Sequence, residues 1–373
     1  MKSLGYHGLF MLLTILIVVR GIKGGIERAS KIMMPAFFLL LLVLIARGLL
    51  LTGSGTGVEF LLRSDLSKIS PSVFLTALGQ AFFTLSLGMG AMITYGSYLS
   101  RQSNLPRSSV EVAGMDTLVA VAAGFAIFPA LFAFGMQPEQ GPGLIFVTLP
   151  VVFHQMPAGA VFATIFFALV LVAALTSAIS LLEVCATYFI DERGWSRTRA
   201  AWVLGGITFL LGISAALAKG PWADWSVARL LKATSGEGLL GSIGTLQLDW
   251  FDLVGSITSN YMLPLGGLLT ALFVGWVWDR REVGREVRAG RRSFKLAQTW
   301  INLLRFVAPL VIAEVLLLGL LAEFPAQHYP GVARLVERLQ VGFTWLDIVV
   351  AIVVIGTSLA RMRPDTPESP AAE

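Results

Sequence analysis

Nine stretches of this 373-residue chain are apolar for longer than a soluble fold ordinarily needs. They fall at 7–20, 26–52, 72–99, 108–136, 157–190, 199–218, 252–278, 299–323 and 343–361. About 20 apolar residues let a helix cross the hydrocarbon core of a bilayer. Only 14% of residues are charged and the mean hydropathy is +0.76, where soluble domains carry about 25% charge. The chain is therefore predicted to be an all-α polytopic membrane protein with about nine transmembrane helices. Its single cysteine, Cys185, lies inside an apolar run, which excludes an intrachain disulfide. His7, His154 and His328 are too scattered for metal-ligand spacing. No nucleophile–base pair stands in the spans, so an enzyme is not expected, nor any cofactor beyond ions. Nothing in the charge pattern suggests nucleic acid.

The connectors alternate in charge. "RGIKGGIERASK", "SRQSNLPR", "DERGWSRTR", "DRREVGREVRAGRRSFK" and "ARMRP" hold 18 of the 28 lysines and arginines. The intervening set, 53–71, 137–156, 219–251 and 324–342, holds seven. The positive-inside rule places the first set in the cytoplasm, together with a disordered tail at 362–373. Segment 137–158 contains four prolines and reads as an outer loop with a short re-entrant or surface helix. Residue 1 then falls on the outer side. An odd number of spans starting outside, with no leader, leads us to expect that something precedes Met1.

Three features place chemistry inside the membrane. The run "GQAFFTLSLGMGAMITYGSYL" at 79–99 is interrupted by Ser86-Leu87-Gly88-Met89-Gly90. Freed backbone groups at membrane depth are tolerated where they line a cavity or are buried in protein. A glycine packing notch is the plainer alternative, but Phe83, Thr84 and Ser86 add an aromatic wall and two hydroxyls. In "AALTSAIS", Ala173, Thr176 and Ser177 share one helix face and offer oxygens suited to a small hard cation such as sodium. Small-residue helix packing explains the same spacing. Asp116, about a third of the way into an apolar run, is costly there and marks a site unless a basic loop residue pairs with it. Glu183, near the end of its helix, reads as structural, and Glu314 has no evident role.

At these clusters the chain resembles the neurotransmitter:sodium symporter family, in particular its bacterial amino-acid transporters of LeuT-type inverted-repeat fold. The carrying stretches are "GIERASKIMMP", "GQAFFTLSLGMGAMITYGSYL", "GFAIFPA" and "AALTSAISLLEV". The family has twelve helices, and the nine here resemble helices 4 to 12, so a truncated start is expected. In that frame 1–52 holds the last two helices of the first repeat, 72–278 the complete second repeat and 299–361 two accessory helices.

The resemblance implies roles for individual residues. Thr84 and Asp116 match ligands of one sodium, with Asp116 where the family usually has asparagine, which implies independence from chloride. Ala173, Thr176 and Ser177 match the second sodium site. Phe83 looks like an aromatic lid, and Thr84, Ser86, Met89, Ser177 and Leu181 like substrate contacts. Met89 replaces a frequent phenylalanine, and a flexible methionine fills irregular space, consistent with a bulky substrate. Gln80 and Asp252 resemble an outer gate, with Asp249 a nearby competitor. Gly25 and Pro35 match a helix-5 unwinding motif. The expected function is sodium-coupled symport of an amino acid, hydrophobic or aromatic, across the plasma membrane (the bacterial inner membrane), with a homodimer possible. The alternative is a transport-inactive remnant or accessory protein of the same family.

Overall fold

The computed structural model describes residues 2–63, 71–100, 102–138, 141–218, 250–288, 297–322, 349–350 and 352–355. All regular structure among them is helical. Seven helices are long and apolar enough to cross a membrane: Lys2–Val19, Ile22–Leu49, Leu105–Ala133, Gly159–Asp191, Arg197–Ala218, Leu253–Val277 and Ala297–Leu318. The difference from the expected nine has two sources. The span expected at 72–99 is two short helices, and the last run, 343–361, lies largely outside the described residues.

The chain divides into two compact units. The first comprises 1–68 and 113–225. It contains α1 (Lys2–Val19), α2 (Glu27–Leu49), α3 (Gly55–Leu62), most of α6 (Leu105–Ala133), α7 (Leu149–Gln155), α8 (Gly159–Asp191) and α9 (Arg197–Ala218). These sequences are rich in Leu, Ala, Phe and Val, and in hydrocarbon only a helix satisfies every backbone group within one segment. α7, with the wide π-turn Leu144–Thr148 before it, is the short helix expected in the 137–158 loop. Exposed leucines such as Leu210 and Leu211 on α9 are what a bilayer-facing surface requires.

Two apolar cores hold this unit. In one, Phe37, Leu41 and Leu44 of α2 pack with Leu131, Phe153, Phe166 and Leu169. In the other, Ile15 and Val18 of α1 pack with Ile179, Leu182 and Ala186 of α8 and with Ala200 and Ala201 of α9. Glu183, fully buried, bonds Arg197 through both carboxylate oxygens at 2.8 and 3.0 Å. The same guanidinium donates to the Val18 carbonyl at 3.3 Å. One arginine thus ties the end of α1 and the start of α9 to α8, which makes Glu183 structural, as its position suggested.

The second unit comprises 69–112 and 226–373. It contains α4 (Pro71–Thr84), α5 (Ala91–Ser97), a long helix α10 (250–277), α11 (Arg280–Arg288) and α12 (297–322). α10 carries π-turns at Ile257–Met262 and Phe273–Val277, and α12 carries one at Leu303–Val307. Val283 and Val287 of α11 are buried with Ala297 and Ile301 of α12. α11 therefore lies with its apolar face on α12 and its arginines exposed.

Candidate functional site

The interruption expected at Ser86–Gly90 is a real break. α4 ends at Thr84 and α5 starts at Ala91. The Leu87 N–H donates to the Phe82 carbonyl at 2.9 Å and the Ser86 N–H to that of Phe83 at 3.1 Å. This pair of bonds is the Schellman ending of a helix, which needs a left-handed residue between the two closing turns. That residue is Ser86, at φ 54°. Gly88 and Gly90 follow at φ 82° and 81°. Glycine takes such angles freely, and a chain turning three times within five residues cannot continue a helix.

Packing against α10 fixes the break. A Cβ at Gly88 would overlap the Leu263 carbonyl oxygen, and one at Gly266 would overlap the Gly88 carbonyl. A Cβ at Gly267 would sit 2.6 Å from the Phe82 ring. Gly266 and Gly267 were not singled out in the sequence. The "LPLGG" pair after Pro264 was the available signal, but its partner lies far away in the chain.

Around the break, Phe83 is 52% exposed, Gln80 and Thr84 are exposed, and Ser86 and Met89 are half-buried. The Thr84 hydroxyl donates to the Ala81 carbonyl at 3.4 Å. Asp252 lies on α10, with its side chain outside the described residues, as is Asp249 altogether.

The remaining candidates belong to the first unit. On α8, the Thr176 hydroxyl donates to the Ala173 carbonyl at 2.8 Å, and Ser180 donates to the Thr176 carbonyl at 3.0 Å. The Thr176 bond is a local bond within the helix of the kind made by other threonines; Ser177 is one residue on, and Leu181 is exposed on the same helix. Asp116 is half-buried on α6. Gly25 lies in the π-turn Ile22–Ile26, where a Cβ would overlap the Ile17 carbonyl, and Pro35 lies inside the helix that follows, which runs on unbroken through it. Among the described residues no cluster of three His, Cys, Asp or Glu could hold a transition metal.

Among the described residues all regular structure is helical, seven helices are long and apolar enough to cross a membrane, and the run 71–97 is broken and glycine-locked near its middle. Comparison with known sequences makes the class definite: this chain belongs to the sodium:neurotransmitter symporter family, whose sequence profile matches residues 7–223. A sodium-dependent transporter of Bacillus subtilis is 39% identical over 317 residues, covering 85% of this chain and 66% of that protein. One of Haemophilus influenzae is 37% identical over 316 residues, covering 84% of this chain and 65% of that protein. Among solved structures, MhsT in complex with L-phenylalanine is 45% identical with a TM-score of 0.70, over 84% of this chain and 67% of that one. The fold is thus of the LeuT type. The chain spans about two thirds of the length of these relatives, which are transporters rather than enzymes.

Proposed function

We propose that this protein takes part in sodium-coupled symport of a hydrophobic or aromatic amino acid across the plasma membrane. The observation that carries the reading is the break at 85–90, where an apolar span gives up its helical ladder between Phe83 and Met89. Backbone groups released at that depth suit the carboxylate and ammonium of an amino acid and a sodium ion. Phe83, Thr84, Ser86 and Met89 contribute from the break, and Ser177 and Leu181 from α8. Thr84 and Asp116 serve one sodium, and Ala173, Thr176 and Ser177 the other. Gln80 and Asp252 act as a gate, and Gly25 with Pro35 let the start of α2 unwind. The basic connectors face the cytoplasm, as does the C-terminus, and 72–278 forms a complete five-helix repeat.

The preference for a bulky side chain is supported by the 45% identity to a protein crystallised with L-phenylalanine and by the adaptable Met89. Uptake of a labelled amino-acid panel tests the reading, in cells carrying the gene at its own locus, a deletion, or Thr176→Ala. Sodium-dependent uptake of phenylalanine, tyrosine, leucine or their kin, lost in the deletion and in Thr176→Ala, is the expected result. Uptake that is unchanged by deletion, or indifferent to sodium, overturns it in favour of an inactive or accessory role.

A further inference from the structure

A second charged feature, unrelated to the break, stands where α10, α11 and α12 meet. Arg305 lies in the π-turn Leu303–Val307, about 12 Å along the axis from Ala297 at 1.5 Å per residue, inside a run apolar enough to span a membrane. A guanidinium there is costly unless it is partnered or snorkels to the interface. Its Nε is buried and meets no hydrogen-bond acceptor among the described residues. The group instead lies over the Trp276 ring, 4.3 Å from its centroid, and 5.6 Å from that of Phe306. The Trp276 indole N–H donates to the Arg305 carbonyl at 2.9 Å, so the ring is held in place.

One turn earlier on α12, Asn302 accepts from the Arg280 guanidinium at 3.2 Å. Arg280 of α11 is thus bonded to Asn302, three residues before Arg305 on α12. Both belong to the strongly basic connector side of the chain, and Arg280 is exposed. Trp276 is 55% exposed and Val277 72%, so the surface beside the two arginines is apolar and aromatic. An exposed arginine and an arginine stacked on an exposed tryptophan, beside apolar surface, match one chemistry: a phosphodiester with acyl chains attached. A free phosphate would account for the arginines but not for the exposed apolar surface.

We propose that Arg280 and Arg305, with Trp276, form a binding site for the headgroup of an anionic phospholipid on the basic side of the membrane. The phosphate accepts from both guanidinium groups, and the acyl chains run along Val277 and Phe306. The lipid thereby bridges α10 and α12 at the level of their facing wide turns.

Native mass spectrometry of the full chain tests this, after exchange into mixed micelles of phosphatidylglycerol and phosphatidylcholine. The expected result is retention of phosphatidylglycerol several-fold above its share of the mixture. Arg280→Gln, an exposed site that folding tolerates, and Arg305→Gln should each remove most of that enrichment, and Arg305→Lys should keep part of it. Equal retention of the two lipids overturns the proposal, as does enrichment unchanged in Arg280→Gln. Loss of the enrichment on adding inorganic phosphate at millimolar concentration also overturns it, because the site would then be one for a free anion.

Discussion

Gly88 and Leu263 meet backbone to backbone: the carbonyl oxygen of Leu263 occupies the space that a Cβ at Gly88 would need. Gly88 also sits at φ 82°. Alanine there meets two penalties, about 1–2 kcal/mol for the left-handed angle and roughly 1–3 kcal/mol for overpacking. Gly88→Ala should therefore lower the midpoint of thermal unfolding in detergent by many degrees. Gly96→Ala is the control, because nothing lies within 4 Å of its Cβ position; it should be neutral or stabilise by a few tenths of a kcal/mol. Equal midpoints for the two variants would show that the close approach does not hold the break.

The Glu183–Arg197 pair is asymmetric. Glu183 is fully buried, while the Arg197 side chain is 26% exposed. Removing the arginine strands a buried carboxylate, which costs about 3–5 kcal/mol. Removing the charge of the glutamate leaves an arginine that can still turn to solvent and to the Val18 carbonyl. Arg197→Ala should therefore destabilise more than Glu183→Gln, with Arg197→Lys in between because lysine cannot make the bidentate contact. Thermal unfolding of the three variants, side by side, gives the order.

Thr176 and Ala173 present two oxygens 2.8 Å apart on α8. If they serve a cation, Thr176→Ala should raise the sodium concentration needed for half-maximal uptake or stabilisation by tenfold or more, about 1.4 kcal/mol. Thr176→Ser keeps the oxygen and should stay near wild type. A sodium titration of thermal stability reads this without any transport assay.

In the proposed reading Asp116, half-buried on α6, takes the place of chloride beside the sodium ions. Replacing chloride by gluconate should leave sodium-dependent uptake unchanged in the wild type. Asp116→Asn should lower uptake in gluconate and recover part of it when chloride is returned. Wild-type uptake that collapses without chloride would show that the carboxylate does not take the anion's place.

Much of this fold was readable because its strongest signals are local. A run of apolar residues specifies a span wherever it stands, and Ser-Leu-Gly-Met-Gly specifies a break within one turn. What could not be read depends on partners distant in the chain. Gly266 and Gly267 become meaningful only when Gly88 and Phe82 lie against them, and Glu183 could be judged structural but its partner Arg197 could not be named. The π-turns were also invisible, because one extra residue per turn leaves the hydropathy of a uniformly apolar helix unchanged. The left-handed angle fell on Ser86 as well as on the glycines, a position that composition alone gives to glycine.

That serine separates what favours folding from what is present. Glycine at 86 would adopt φ 54° without the steric cost that a Cβ imposes there. Ser86→Gly should consequently gain stability, by up to about 1 kcal/mol, while deleting the hydroxyl that stands at the turn. Relief of the left-handed cost of about 1–2 kcal/mol outweighs glycine's greater loss of backbone freedom. A variant that melts later but transports or binds less well would identify position 86 as a trade-off, where the chain holds a strained residue for its side chain rather than for its backbone.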